Sequence, residues 1–449
     1  MFIERSADRI RLVRTAFVLV GLLPFAVLAA WAAWRHSAGH LEAVRRECEQ
    51  AIGLPLEIGG IEHLRPHGFR LRSCSLLSPG GAVMATVPVV DVDSSAAEVR
   101  LRLPRLECTP EAARALAAVA RGWLHEPVRH SRAWIIDVED FQWPTGRVAR
   151  PYTGPPAATP PVGLHVECVA AEGTRAIRVR RDPRSADEVR VRSTFIAGMA
   201  AERLEVSGSV AEPLPAAAVA ALVGSPLGDG LASLGANAKL RGVIEAVCDG
   251  GRWSGRARGR VEQVDLAACT ALLPHRIAGE ATLSVPVFEW DSGRVTECRL
   301  ECTAAGGEIG QGLLDALVTV LGCRAGPAYR SLAGEPLRKF DELAFGIHVD
   351  RLGTVLRAAA DHGGSLARRQ GLSLLDEPVA GMPNERLAWL FPRSDSMPVP
   401  ASDAGLWLMS VLPVSSMPPP IPGETDKNVG ETLRALPPQA ERPGRRAGF

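Results

Sequence analysis

Lysine is nearly missing from this chain of 449 residues: Lys239, Lys339 and Lys427 are the three, and arginine supplies the rest of the 51 basic side chains. Against 50 acidic residues this leaves a formal net charge of +1, so there is no basic surplus to grip a nucleic-acid backbone. Tyrosine occurs twice and aromatics make up 5% of the chain, too thin a supply for a base-stacking surface. Both shortages speak against a nucleic-acid partner. The nine cysteines are odd in number, scattered and without a CxxC pair, so they do not form a disulfide framework. GxSxG, HExxH, SxxK and a kinase-type loop are all absent. At ~100–200 residues per domain the length allows two or three domains with ample cores.

What is abundant is apolar sequence, 46% of the chain, and its first stretch is the most distinctive. Thr15 to Trp34 is a run of twenty residues without a charge. As a helix it reaches roughly 30 Å, the thickness of bilayer hydrocarbon. Phe17, Leu22, Leu23, Phe25 and Leu28 make its body, and Trp31 and Trp34 stand at the end where amphipathic rings favour the interface. Pro24 sits mid-span, which a membrane helix tolerates. Arg5, Arg9, Arg11 and Arg14 precede the run while Arg35, Arg45 and Arg46 follow, a bias toward a cytoplasmic N-terminus. We read an uncleaved anchor over 1–36. The alternatives are a cleaved signal, with Ala30-Trp31-Ala32 as its A-x-A site, and a buried soluble helix.

Beyond a short polar helix at 37–52 the texture changes to short strands with one apolar face. Glu98 to Leu103 is typical: Val99, Leu101 and Leu103 alternate with Glu98, Arg100 and Arg102, as in a half-buried antiparallel strand. Leu204 and Val206 follow the same rule in a later strand, and Leu300 in one between Cys298 and Cys302. Asp182-Pro183-Arg184-Ser185 marks a hairpin. Thr109-Pro110-Glu111 opens a helix with a capping hydroxyl, a first-turn proline and an acid. Further short helices are expected at 214–223 and 313–321. The spacing divides the exported body into a β-rich module at 37–143, a Pro-rich linker at 144–161 and a second β-rich module at 162–350. A helical segment at 351–391 then leads to a Pro-rich, mostly disordered tail at 392–449, of which 404–412 docks back. The fold class is β-rich α+β: a transmembrane helix, then an elongated, mainly antiparallel sheet body with short interspersed helices.

Few residues suggest chemistry. His63 and His67 stand four apart, a zinc spacing on a helix, but Pro66 between them points to a turn. His125 and His130 bracket Pro127 in the same way. Asp137, Glu139 and Asp140 lie among Trp134, Phe141 and Trp143, an arrangement that can mean a glycosidase cleft but also the solvated end of a strand. Glycines at 306–312 lie between a strand and a helix, yet the third glycine of a dinucleotide turn is Asp315 and no Walker lysine follows. Cys298 and Cys302 read as small buried hydrophobes, with a structural bridge or a metal site as alternatives. No residue is assigned to catalysis, metal or cofactor, and no cofactor is expected.

The order of features after the span is similar to the start of AsmA-like proteins, inner-membrane-anchored envelope proteins of diderm bacteria. It comprises Gly53-Leu54-Pro55-Leu56-Glu57-Ile58-Gly59-Gly60-Ile61, Pro66-His67-Gly68-Phe69-Arg70-Leu71 and Val87-Pro88-Val89-Val90-Asp91-Val92. Trp253-Ser254-Gly255, Val264-Asp265-Leu266, Ile277 to Ala281 and Gly307-Glu308-Ile309 resemble that family's strand–short-helix–strand modules, where a v-D-L step opens the helix. The resemblance covers 54–107 and 235–350 and rests on apolar strands and glycines. It implies an open apolar β-groove, envelope homeostasis and phospholipid passage between membranes, and no catalytic residue.

The expected function is therefore non-enzymatic lipid handling or envelope homeostasis by a single-pass inner-membrane protein with a periplasmic body, phospholipid being the ligand. Val99, Leu101, Leu103, Leu204, Val206 and Leu300 are the groove candidates. The alternative is an anchored assembly protein that binds envelope protein partners through its tail, and a distant third is an envelope hydrolase. A reporter enzyme fused to the carboxyl end is expected to be active only outside the cytoplasm; activity confined to the cytosol overturns the export reading.

Overall fold

The computed structural model describes residues 7–65, 67–78, 80–125, 132–142, 162–171, 173–195, 202–223, 227–271, 275–330, 336–390 and 403–413. The apolar run is helical throughout, as α1 (Ala7–Phe17), a π turn (Val18–Leu22) and α2 (Leu23–Arg35). The π turn has a cause. Pro24 offers no N–H and its ring must clear the carbonyl four residues back, so the helix widens just before it and Leu23 donates to the Val18 carbonyl. Residues Arg11–Arg35 form one helix long and apolar enough to cross a membrane, and none of it is buried against protein. Phe17, Leu22, Leu23, Phe25, Leu28, Trp31 and Trp34 are all exposed, Phe25 at 77%.

A turn at His36-Ser37 starts α3 (Ala38–Ile52). The Ser37 hydroxyl caps it by accepting from the His40 amide at 3.3 Å, and Gly53 ends it with φ +74. Such a cap contributes about 1 kcal/mol.

The residues divide into two compact units, Met1–Gly251 and Arg252–Phe449. In the first, ten strands follow one another: β1 (Leu56–Arg65), β2 (Gly68–Leu77), β3 (Val83–Ser94), β4 (Glu98–Cys108), β5 (Ala133–Gln142), β6 (Val162–Ala171), β7 (Thr174–Arg180), β8 (Glu188–Phe195), β9 (Glu202–Pro215) and β10 (Lys239–Asp249). Each pairs with the next, antiparallel in every case but one. The exception is β4–β5, parallel, joined by α4 (Pro110–His125). A parallel neighbour cannot be reached by a tight turn, so this is where a long helix belongs. Thr109 caps α4 as its sequence predicts, accepting from the Ala112 amide at 3.1 Å. The Asp182–Ser185 hairpin also forms, with Asp182 accepting from the Arg184 amide. Two further short helices, α5 (Ala216–Val223) and α6 (Leu227–Ala232), connect β9 to β10.

In the second unit β11 (Arg252–Asp265), β12 (Ile277–Asp291) and β13 (Arg294–Gly310) form an antiparallel meander. The Val264-Asp265-Leu266 step opens α7 (Leu266–Cys269), Asp265 accepting from the Ala267 and Ala268 amides. After α8 (Gln311–Leu321), β14 (Arg324–Ala325) and α9 (Pro327–Arg330), strands β15 (Leu337–Phe340) and β16 (Glu342–Asp350) both pair with β13. Arg338 on β15 is buried and donates to the Ala328 and Tyr329 carbonyls at the end of α9, at 3.1 and 2.7 Å.

The segment 351–391 corrects a sequence expectation. It is not mainly helical but folds as β17 (Gly353–Ala358), β18 (Ser365–Arg369) and β19 (Leu372–Asp376), with one turn of helix, α10 (Glu385–Ala388), behind them. Short apolar runs carry no unambiguous period. Here the turns decide: Gly363, Gly364, Gln370 and Gly371 all take positive φ, the last two forming the β18–β19 hairpin. Within the tail, α11 (Asp403–Val411) docks on α10, and Asn384 donates to the Pro413 carbonyl at 2.9 Å. The linker 144–161, and the tail at 391–402 and 414–449, lie outside the described residues.

Gly307 makes a close backbone approach in this unit. A Cβ there would run into the Ala278 carbonyl and the Phe340 ring. Gly307→Ala is expected to destabilise the protein by about 3 kcal/mol, as overpacking against backbone does. Urea denaturation checks this, with Gly250→Ala, in open space but at positive φ, as the milder reference.

Candidate functional site

The period of two along each strand sorts the first sheet into two unlike faces. On one, a single register row runs Phe69, Val92, Leu101, Ile136, Val166, Val179, Val189, Gly208, Ile244, from β2 to β10. At about 4.8 Å per strand this is roughly 38 Å of apolar surface measured along the sheet. A neighbouring row runs Val99, Trp134, Cys168, Ile177, Val191, Val206, Ala246. At Gly208 the side chains of Ile244 and Val189 close in, so that a Cβ there would lie 3.1 and 3.5 Å from them.

Helices cover only part of this face. From α3, Val44 and Cys48 pack on Leu71, Cys74, Val90, Leu103 and Val138. The start of α4 packs Ala112, Ala115 and Leu116 on Leu56, Leu76, Met84 and Ala85. The end of α4 reaches β7, where the buried Arg175 donates to the Trp123 carbonyl and lies 4.8 Å from its ring. Leu101 and Ile136 pack against the edge of the α3 cluster, and the row from Leu101 through Ile136, Val166, Val179 and Val189 is half-buried on every strand. A sealed core would bury such side chains fully.

The groove candidates accordingly separate. Leu101, Leu204 and Val206 are half-buried on this face. Val99 and Leu103 share it but are core residues, at 7% and 8% exposure. Leu300 is half-buried on β13 of the second unit, opposite Ile347. Val166, Val179 and Val189 were not singled out from sequence, although the alternation that selected Leu101 marks them too.

The opposite face carries a charge row: Glu62, Arg70, Asp91, Arg102, Asp137, His165, Arg180, Glu188, one residue per strand across β1–β8. Arg70 holds Asp91 through two hydrogen bonds of 2.6 and 3.0 Å, and Arg180 pairs with Glu188 at 2.6 Å. His165, 6% exposed, lies with Nδ1 2.6 Å from Asp137 and Nε2 3.1 Å from Glu167.

The other candidate clusters disperse. Asp137 is engaged by His165, Asp140 faces Arg105 at 3.8 Å and Glu139 is exposed, so the three acids do not converge. His125 is exposed, and His130 lies outside the described residues. His67 is exposed and apart, whereas His63 meets a partner that its neighbours in sequence do not suggest: its Nε2 lies 3.2 Å from Nε2 of His40 on α3. All nine cysteines are free thiols, and burial pushes Cys302 and Cys323 up to about 12. Among the described residues no group of three or more His, Cys, Asp or Glu side chains is placed to hold a metal ion. No protein-family model, curated protein or solved structure matches the chain.

The His165 contact, with Arg180 and Arg178 behind it, holds the Glu167 carboxyl below its ordinary value of 4.5. A depressed folded value adds stability above the unfolded value, and that stability is lost as pH falls through the folded one. Wild type is therefore expected to be more stable than Glu167→Gln near neutrality, with the gap closing on acidification, as followed by urea melts across pH. A gap that does not change with pH removes Glu167 ionisation from the account.

Proposed function

We propose that this chain is a non-enzymatic, membrane-anchored protein that handles phospholipid through the apolar face of its first sheet, in the envelope of a diderm bacterium. In this reading Arg11–Arg35 is an inner-membrane anchor with its N-terminus in the cytoplasm, and the sheet body is periplasmic and AsmA-like.

One observation carries the reading: the half-buried aliphatic row Leu101, Ile136, Val166, Val179, Val189. An acyl chain asks for continuous dry surface without specific polar partners, and one residue per strand at a constant spacing supplies it. The charge row on the opposite face supports the same view. Arg70 with Asp91, His165 with Asp137 and Arg180 with Glu188 pair within it, so that face stays soluble beside a lipid-bearing one.

A second reading has its own support. Leu406, Trp407 and Met409 of α11 are exposed, and an apolar surface of this kind suits an envelope protein partner.

A photo-crosslinking residue at Val179 or Val189 of the full chain is expected to capture phospholipid in intact membranes, whereas the same residue at Arg178, on the charged face, is not. Equal capture at all three positions, or none at Val179 and Val189, defeats the lipid reading.

A further inference from the structure

We propose that the end of β1, with Leu64 and Arg65 at its tip, is a second membrane contact that rests in the headgroup layer of the bilayer entered by the apolar helix. It stands on the reading of Arg11–Arg35 as a membrane span and is independent of the acyl row.

The path of the chain brings the strand end to the helix end. α3 leads away from the apolar helix for fifteen residues, about 22 Å, and Gly53 in the left-handed region turns the chain back. β1 then runs along α3 in the opposite direction. Its first residue, Leu56, donates its amide to Glu49 near the far end of α3 at 3.0 Å, and His63 lies beside His40 near the start, Nε2 to Nε2 3.2 Å. The strand does not stop there. Two more residues, at about 3.3 Å each, carry it past His40. His36 stands edge-on to His63 at 6.5 Å between ring centroids, and the Trp34 ring packs on His40 at 4.5 Å. The end of β1 therefore lies beside the last turn of the apolar helix, and the His40–His63 contact ties it to the start of α3.

The backbone there turns a leucine outward. His63 pairs with Phe69 and Arg65 with Gly68, so Leu64 is an unopposed residue in a bulge, and it is 55% exposed. A leucine exposed alone needs no explanation. This one shares its end of the unit with Trp31 and Trp34, both exposed. In a span that starts at Arg11, Trp34 falls where hydrocarbon gives way to headgroups, a layer about 5–8 Å deep. Leu64 suits the inner side of that layer, and the exposed Arg65 and His67 suit its phosphates. Continuity with the apolar helix commits the surface to lipid, because a protein partner would have to fit between the end of β1 and the bilayer.

The test places a fluorescent amino acid at one position at a time in the full chain. The chain is reconstituted in vesicles of phosphatidylethanolamine and phosphatidylglycerol that carry a spin-label quencher either on the headgroup or deep in the acyl chain. At Leu64 the headgroup quencher is expected to act at least about twofold more strongly than the deep one. At Phe25, within the span, the order reverses. At Val83, exposed at the opposite end of the β2–β3 pair, neither quencher acts. Circular dichroism and melting establish that each variant keeps its fold. Quenching at Phe25 with none at Leu64 overturns the contact and leaves the anchor standing. Absence of quenching at Phe25 removes the anchor reading and the contact with it. Headgroup quenching at Val83 equal to that at Leu64 also overturns a contact made by the end of β1.

Discussion

A strand exposes alternate residues to opposite sides, and in this protein that period of two keeps an apolar row in register over nine successive strands. Ladder hydrogen bonding places one residue of each strand in line with one of the next, so a local alternation becomes a face-wide property. A slip of one residue at any pairing would carry charge into the apolar face and aliphatics into the charge row. Where the pleat would drift, the backbone bends. Ser73 takes φ +51 opposite Gly59, and in this way both Leu71 and Cys74 point inward on one strand.

The parallel step between β4 and β5 follows from this constraint. Because the strand cannot return by a hairpin, sixteen residues are spent on α4, and their alanine-rich side lies on the sheet. Together with α3 it closes part of the apolar face and leaves the rest half-covered. The same two helices therefore separate Leu103, a core residue, from Leu101 and Val179, which retain accessible surface. The function proposed above depends on that partial cover.

The end of the first unit next to the apolar helix joins elements that the chain keeps apart. α3 begins directly after the apolar helix, and packing it on β1 brings His40 against a residue twenty-three positions later. Trp31, Trp34 and Arg35 at the end of the apolar helix thereby come close to His36, His40 and His63.

Sequence by itself determined everything that depends on spacing along the chain. The twenty uncharged residues give the apolar helix, Thr109 and Ser37 start their helices, Asp265 opens a turn of helix, and the alternation at 98–103 gives a strand with a dry side. Local hydrogen bonding and period are enough for these. Tertiary structure alone decided what depends on which strands become neighbours. The strands of 351–391 needed the positive-φ turns at Gly363 and Gln370 to become distinct from helix. Asp137 needed β6 beside it before His165 became its partner rather than Glu139 or Asp140. His63 turned from its sequence neighbour His67 to His40 because β1 pairs with β2 as far as Arg65 and Gly68, while α3 packs on β1. Proximity in these cases is set by register and helix packing, which have no counterpart in the linear order of residues.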